Sequence, residues 1–177
     1  NYTLFIEARI TNPSGWRKLF GSDEWGDYGL YVNSQYQLYP SAAGMKCLET
    51  IHSGKYYKYM MSRNEKGVVK LYLNGYKCAE ALPPFVSGYR PSPSSLEFFR
   101  SESGKSSAGY VKRIAIWNKV FTDEEAATES ECRLSELGGK CEHGPIIQLA
   151  GYDRMEYSST LYNHRKGTGY GKGRLGS

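Results

Sequence analysis

The sequence lacks the patterns on which common nucleophilic, zinc, redox and nucleotide sites are built. It has three histidines, and none stands in triad or zinc spacing with a nucleophile or a cysteine. It has no C-x-x-C pair, which argues against a structural zinc site and a thioredoxin-like redox site. The glycine-rich segment 167–173 lacks P-loop spacing, a Ser or Thr after its lysine and a following helix. These absences argue against several classes of enzyme.

Long apolar runs are also missing, so we expect no membrane span. No signal peptide is recognisable, and the chain opens directly in a strand-like pattern, as it would if a leader had been removed or lay outside this sequence. Its 177 residues, with 40% hydrophobic and 23% charged, suffice for one globular domain with a core. Aromatic residues reach 14%, 16 of them tyrosines, which suit half-buried strand faces.

The four cysteines are even in number and allow three disulfide pairings. We favour Cys132–Cys141, which would close a short loop, and Cys47–Cys78, which would join two strands. If both form, the protein works in an oxidising compartment, extracellular or in an organelle lumen. The alternative is four buried thiols in a reducing compartment. Asn1 begins an N-x-T sequon, a weak indication of secretion.

The net charge of +5 is unevenly distributed, because the last 15 residues carry four cations and no acid. A basic tail of this kind can dock on an anionic partner, and its alternative is a solvated, flexible terminus. We expect no nucleic-acid binding. The candidate partner-binding residues of the tail are Arg165, Lys166, Lys172 and Arg174.

Period-two alternation predicts a mostly β chain, beginning with a strand over 2–10. Asn74 and Gly75 predict a type I′ hairpin, because both central residues of that turn need a positive φ. Trp16 and Trp117 lie beside strand patterns and are predicted to be in the core. Further strands are predicted over 17–20, 30–32, 36–39, 45–51, 56–63, 68–73, 76–81, 96–99 and 109–117.

One helix is predicted, because Thr122 and Glu125 form a T-x-x-E capping box. It would run from residue 123 to about residue 137, with Gly138 and Gly139 as its stop. Short strands with one helix indicate an all-β antiparallel sandwich. We assign residues 1–137 to the sandwich. Residues 138–177 are predicted to be a C-terminal extension with a candidate strand over 146–150 and a basic Gly/Tyr-rich tail.

Three segments occur in a characteristic order: GWRKLF and DYGLYV over 15–32, GVVKLYLNG over 67–75, and LEFF, AGYVKRIAIWN and FTDEE over 96–125. This set resembles the laminin-G-like branch of the concanavalin A-like lectin/glucanase superfamily. The resemblance implies an antiparallel two-sheet jelly roll with a short helix after its last long strand. Arg63 matches an arginine that relatives often carry shortly before the hairpin.

The chain departs from that family at two places. Relatives usually have one more strand upstream of Tyr2, so either the chain was trimmed or the 146–150 segment fills the gap at the sheet edge. After Phe99 many relatives carry two aspartates, where this chain has Arg-Ser-Glu-Ser. Calcium prefers several oxygen ligands, so a calcium site is a candidate and solvated loop acids are the alternative. Its candidate ligands are Asp23, Asp27 and Glu102.

The glucanases of the superfamily place paired carboxylates on one strand in an E-x-D-x-E arrangement, which this chain lacks. We therefore expect no catalysis and a binding role. A lectin site would use acids and amides for sugar hydroxyls and an aromatic ring for the apolar sugar face. The alternative for Trp25 is a structural role, packed at the rim of the sandwich. The candidate glycan-binding residues are Asp23, Trp25, Asp27, Asn33, Tyr89 and Arg90.

These patterns favour a non-catalytic module that recognises a glycan or an extracellular or lumenal protein surface. The alternative is an accessory structural subunit of a larger assembly, with the fold as scaffold and the basic tail docked on a partner. A glycan hydrolase is a distant third.

Overall fold

The computed structural model describes residues 1–21, 29–40, 45–82, 97–100, 105–131 and 147–157, with backbone only for Pro40 and 147–157. Within these ranges the chain is mostly strand. The elements are β1 (Tyr2–Ile10), β2 (Arg17–Gly21), β3 (Gly29–Val32), β4 (Leu38–Pro40), β5 (Tyr56–Arg63), β6 (Val69–Leu73), β7 (Tyr76–Ala81), β8 (Glu97–Phe98), β9 (Gly109–Trp117), α1 (Asp123–Glu131) and β10 (Ile147–Tyr157).

The strands form two antiparallel sheets, a six-stranded sheet β10-β9-β1-β5-β6-β7 and a four-stranded sheet β4-β3-β2-β8. The predicted all-β two-sheet sandwich with one short helix is confirmed. Strand β10 pairs with β9 at an edge of the larger sheet, and it is longer than the strand predicted from the sequence. The division of the chain at residue 137 stays a prediction.

The main core lies between the two sheets, and β1 shows how the sequence builds it. Leu4, Ile6, Ala8 and Ile10 alternate along the strand and are at most 1% exposed. They pack against apolar side chains of the smaller sheet, including Leu19. Each fully buried aliphatic side chain contributes about 1.5–3 kcal/mol.

Two strand predictions were wrong in the segment between β3 and β5. The strand predicted over 36–39 begins later, because Tyr36 has a φ of 61° and belongs to a turn. Asn33 Oδ1 accepts hydrogen bonds from the N–H groups of Gln35 and Gln37, which holds that turn. The segment 45–51 has no strand, only an isolated bridge from Thr50 to Gln37.

The predicted hairpin between β6 and β7 is confirmed. Asn74 and Gly75 have φ values of 53° and 89°, both positive as a type I′ turn requires. The Asn74 Oδ1 atom accepts a hydrogen bond from the Lys58 N–H at 3.1 Å. The turn is thereby tied to the neighbouring strand β5.

The disulfide Cys47–Cys78 that we favoured is present, with a Cα–Cα distance of 5.0 Å. It joins β7 to the segment before β5 rather than two strands, because Cys47 lies outside regular structure. Disulfides are typical of oxidising compartments. Cys132 and Cys141 lie outside the described residues.

The capping box predicted at the start of α1 is confirmed. Thr122 Oγ1 accepts a hydrogen bond from the Glu125 N–H at 3.2 Å, and Glu125 Oε2 accepts one from the Thr122 N–H at 2.9 Å. The two hydrogen bonds satisfy N–H groups that lack partners inside the helix. Residues 132–139, which include the predicted end of the helix, lie outside the described part of the chain.

Replacing Thr122 with alanine is expected to lower the free energy of unfolding by about 1 kcal/mol, because it removes the cap. Urea denaturation measures the change. Thr128→Ala is the matched control, since Thr128 is exposed inside the same helix. An equal loss in both variants would show that the cap contributes nothing specific.

Helix α1 packs on the outer face of the six-stranded sheet. Its Asp123 accepts hydrogen bonds from Lys70 at 3.1 Å and from the Tyr72 hydroxyl at 3.0 Å, and it pairs with Lys77 at 3.0 Å. The contact with Lys77 holds the pKa of Asp123 at about 2, and burial raises the pKa of Tyr72. The apolar cluster under the helix comprises Phe5, Met60, Tyr72, Ala115, Trp117, Phe121 and Ala126.

Candidate functional site

Most of the predicted site residues lie outside the described residues, so their roles stay predictions. This holds for the glycan-binding candidates Asp23, Trp25, Asp27, Tyr89 and Arg90, for the calcium candidate Glu102 and for the four tail cations. Where the structure describes the chain, it contains no group of three or more His, Cys, Asp or Glu side chains arranged to hold a metal.

Besides the disulfide cysteines, two predicted site residues are described. Asn33 is 5% exposed, and its Oδ1 atom is already held by the turn after β3. It follows Val32, at the end of β3. Asn1 is exposed, and its Oδ1 atom accepts a hydrogen bond from the Glu65 N–H at 2.7 Å.

The outer face of the four-stranded sheet carries a row of large side chains. Lys18, Tyr31 and Tyr39 lie opposite one another on β2, β3 and β4. The residues on either side of Tyr31, Leu30 and Val32, belong to the core between the sheets. Since neighbours along a strand face opposite ways, Tyr31 and its partners lie on the outer face.

Trp16 also lies at this face, and its predicted burial in the core was wrong. Its side chain is 37% exposed and packs edge-on against Tyr39 and Tyr31, with ring centroids 5.2 and 6.1 Å apart. Gly15, with a φ of 71°, turns the chain immediately before β2 and places Trp16 outside the core. Trp117 is 2% exposed, so its predicted burial is confirmed.

One cation lies beside these rings, and Lys18 in the same row pairs with a carboxylate. Lys105 Nζ lies 6.0 Å from the Trp16 ring centroid and 5.7 Å from that of Tyr31. Glu97 pairs with Arg100 at 3.1 Å and with Lys18 at 3.8 Å. We call this surface the Trp16 face; it comprises Trp16, Lys18, Tyr31, Tyr39, Glu97, Arg100 and Lys105.

Backbone pairing outside the named strands positions Lys105. Its carbonyl accepts a hydrogen bond from the Lys18 N–H at 2.7 Å, and the Ser107 hydroxyl donates to the Lys18 carbonyl at 2.8 Å. Ser107 N–H also donates to the Phe99 carbonyl at 2.9 Å. The segment from Lys105 therefore runs beside β2 and brings its cation to the aromatic rings.

The Trp16 face combines a partly exposed indole with three cations and one carboxylate. Such a surface can contact an apolar ligand face with its ring and hydrogen-bond polar groups around it. The sequence did not predict the Trp16 face, because its patterns placed Trp16 in the core. The one available signal was the Asn-Pro-Ser-Gly turn directly before Trp16.

Neither a protein-family model nor a curated protein sequence matches this chain. Solved structures do match it, with low sequence identity. The CBM40 of Ruminococcus gnavus IT-sialidase bound to α2,3-sialyllactose has a TM-score of 0.56 and 15% identity, covering 73% of this chain and 82% of that one. A SAP-like pentraxin from Limulus polyphemus, crystallised as a heptamer, has a TM-score of 0.53 and 15% identity, covering 74% and 70%.

Trypanosoma rangeli sialidase in complex with the inhibitor DANA is also similar, with a TM-score of 0.58 and 20% identity over 73% of this chain. The chain spans 22% of that sialidase and 39% of a Bacteroides ovatus protein described as carbohydrate-binding. At these identities the similarity establishes the fold alone. The chain has the architecture of the concanavalin A-like β-sandwiches.

Proposed function

We propose that this chain is a non-catalytic, laminin-G-like module that binds glycans through the Trp16 face in a secreted or lumenal setting. The observation that carries the proposal is the partly exposed indole of Trp16, held edge-on by two tyrosines on an outer sheet face. A large aromatic side chain beside strands is ordinarily buried in a core. Here it lies at a surface that also offers charged groups.

The chemistry of the face suits a sugar. An aromatic ring can stack on the apolar face of a pyranose, while cations and carboxylates hydrogen-bond its hydroxyl groups. Lys18 and Glu97 are buried within the sheet, and Glu97 holds the Arg100 side chain, which is 42% exposed, at 3.1 Å. Groups held in this way lose little conformational freedom when a ligand binds.

Two further observations support the proposal. The R. gnavus module of the same fold is bound to sialyllactose in its crystal structure, so the fold accommodates sugar ligands. The Cys47–Cys78 disulfide agrees with a secreted or lumenal setting. The lack of an E-x-D-x-E arrangement in the sequence supports a non-catalytic role.

The segment 22–28 is proposed to contribute a second part of the site. In the sequence Asp23, Trp25 and Asp27 come shortly after β2, so they would supply two carboxylates and an indole next to the smaller sheet. With Glu102 they would provide the oxygen ligands that calcium requires. Glycan binding through this segment would therefore depend on calcium.

A glycan array on the purified chain, run with calcium and again with a chelator, tests the proposal. We expect binding to a defined set of glycans, and a loss with chelator or in Asp27→Ala would assign the calcium-dependent part to the 22–28 segment. No binding in either condition would contradict the proposed function. If a measurement of native mass then showed a large co-purifying complex, it would favour the accessory subunit with a docked tail.

Replacing Trp16 with alanine is expected to weaken glycan binding about 30-fold, since truncating a central aromatic anchor costs about 2 kcal/mol. The measurement is a titration with the best glycan from the array. Tyr76→Ala is the matched control, because Tyr76 is 79% exposed on β7 of the other sheet. Unchanged affinity in Trp16→Ala would move the site away from the Trp16 face.

A further inference from the structure

A second surface lies on the other side of the sandwich, on the outer face of the six-stranded sheet and outside the cluster under α1. Arg9 in β1 lies directly opposite Tyr56 in β5 and Tyr110 in β9. The three side chains therefore form one row across three neighbouring strands. We call this surface the Arg9 row.

The guanidinium of Arg9 is stacked between the tyrosines. Its central carbon lies 4.0 Å from the Tyr110 ring centroid and 5.6 Å from that of Tyr56. Arginine commonly stacks on aromatic rings in this way, and the contact holds the side chain in place. All three residues are half-buried. The row is therefore an ordered surface, unlike a cation that moves freely in solvent.

Arg9 has neither a hydrogen-bond acceptor nor a carboxylate partner among the described residues. The nearest acid along the strand is Glu7, which pairs with Lys112 at 3.6 Å. Lys112 also stacks on Tyr56, with its ammonium 4.3 Å from the ring centroid. Glu7 is thus already paired, and the donors of Arg9 have no acceptor within the described part of the chain. Beyond Tyr110 the backbone pairing continues the row to Glu156 of β10, one strand further from Arg9.

We propose that the Arg9 row binds the carboxylate or sulphate groups of an acidic polysaccharide, as a second site opposite the Trp16 face. A planar guanidinium presents paired N–H donors that match an oxyanion with two oxygens. Lys112 lies beside it and adds positive charge. Because an acidic-polysaccharide ligand presupposes a glycan-binding module, this inference rests on the proposed function.

The dimensions of the row favour a saccharide chain. Tyr56 and Tyr110 stand two strand spacings apart, about 9.6 Å, which is close to the length of a disaccharide. The charged centre between two rings with hydroxyl groups fits one acidic sugar flanked by neutral ones. An acidic peptide is the competing occupant, and the experiment includes it.

The test is a titration of the full chain at low salt with dextran sulphate, polygalacturonate, neutral dextran and polyglutamate. We expect both acidic polysaccharides to bind and neutral dextran not to bind. The stronger of the two identifies sulphate or carboxylate as the preferred group. Binding should weaken as salt rises, because salt screens the attraction between exposed charges. Stronger Arg9-dependent binding of polyglutamate than of either polysaccharide would overturn the saccharide assignment.

Arg9→Gln is expected to weaken binding of the acidic polysaccharide about tenfold, the effect of losing one charge-assisted hydrogen-bonded pair. Arg9→Lys keeps the charge but loses the paired N–H donors of the guanidinium, so an intermediate affinity is expected. Lys66→Gln is the matched control, because it removes one charge from an exposed turn at the other end of β5. Thermal denaturation of each variant verifies that it is folded.

Nuclear magnetic resonance reports whether the ligand contacts the two tyrosine rings, which a general attraction between opposite charges would not require. The ring signals of Tyr56 and Tyr110 should shift when dextran sulphate is added, and they should not shift in Arg9→Gln. Ring signals that do not shift in the wild type would overturn the inference, and so would equal affinity in Arg9→Gln and wild type. Trp16→Ala should keep Arg9-dependent binding of dextran sulphate. One outcome separates the two proposals: glycan-array binding is lost in Trp16→Ala, and Arg9→Gln behaves as wild type. That result would leave the proposed function intact and overturn this inference alone.

Discussion

Replacing Glu129 with alanine is expected to lower the free energy of unfolding by about 3–5 kcal/mol. Glu129 in α1 accepts a hydrogen bond from Arg113 Nη2 in β9 at 2.5 Å, and their side chains are only 1% and 3% exposed. The variant would leave the Arg113 cation buried without its carboxylate. An unpaired buried charge costs far more than the pair itself contributes.

The surroundings of Arg113 explain why the loss should be large. Its Nε and Nη1 atoms have no hydrogen-bond partner within the described structure, so Glu129 is the one carboxylate that neutralises it there. The guanidinium packs 5.1 Å from the Phe5 ring centroid and 5.7 Å from that of Trp117. The pair therefore fastens α1 onto the outer face of the sheet.

Urea denaturation of the variant measures this effect, with Glu131→Ala as the control. Glu131 lies in the same helix and is exposed, so its loss should change stability by less than about 0.5 kcal/mol. The double variant Arg113→Met/Glu129→Leu should recover most of the stability, because it removes both charges together. A loss below 1 kcal/mol in Glu129→Ala would contradict the role assigned to the pair.

Removing the Cys47–Cys78 disulfide is expected to lower the free energy of unfolding by about 3–4 kcal/mol. The two cysteines are 31 residues apart in the sequence. Closing a loop of that length restricts the unfolded chain, and the chain-entropy relation assigns it a stabilisation of this size. Cys47 is also fully buried in the core, so the link joins an edge strand to the interior.

The double variant Cys47→Ala/Cys78→Ala tests this expectation by urea denaturation. The matched control is Cys132→Ala/Cys141→Ala, which tests the second pairing that the sequence favours. If the first double variant loses less than 1 kcal/mol, the disulfide is not an important source of stability. A comparable loss in the control would support the predicted Cys132–Cys141 pairing.

Local signals predicted much of the fold. The alternation of Tyr2–Ile10 placed β1 correctly, since a strand with one buried face shows period two. Asn74 and Gly75 predicted their turn, and Thr122 and Glu125 predicted the start of α1. Each of these features depends on backbone preferences over a few neighbouring residues, which the sequence displays directly.

The candidate site was less predictable, because exposure depends on what covers each face. Trp16 was expected in the core and lies at the surface, since a turn at Gly15 directs it outward. Strict alternation along β9 would put Val111 and Arg113 on one face. A bulge at Lys112 shifts the register, so Val111 enters the main core while Arg113 lies under the helix.

The sequence by itself determined the all-β class, the principal strands, the hairpin and the helix cap, because these follow from local periodicity and turn chemistry. It also favoured the Cys47–Cys78 pair. Only the tertiary structure decided that Trp16 lies on an outer face and that Arg9 stacks between two tyrosines. Those arrangements join residues far apart in the chain, and they depend on strand order, register and bulges that no local pattern specifies.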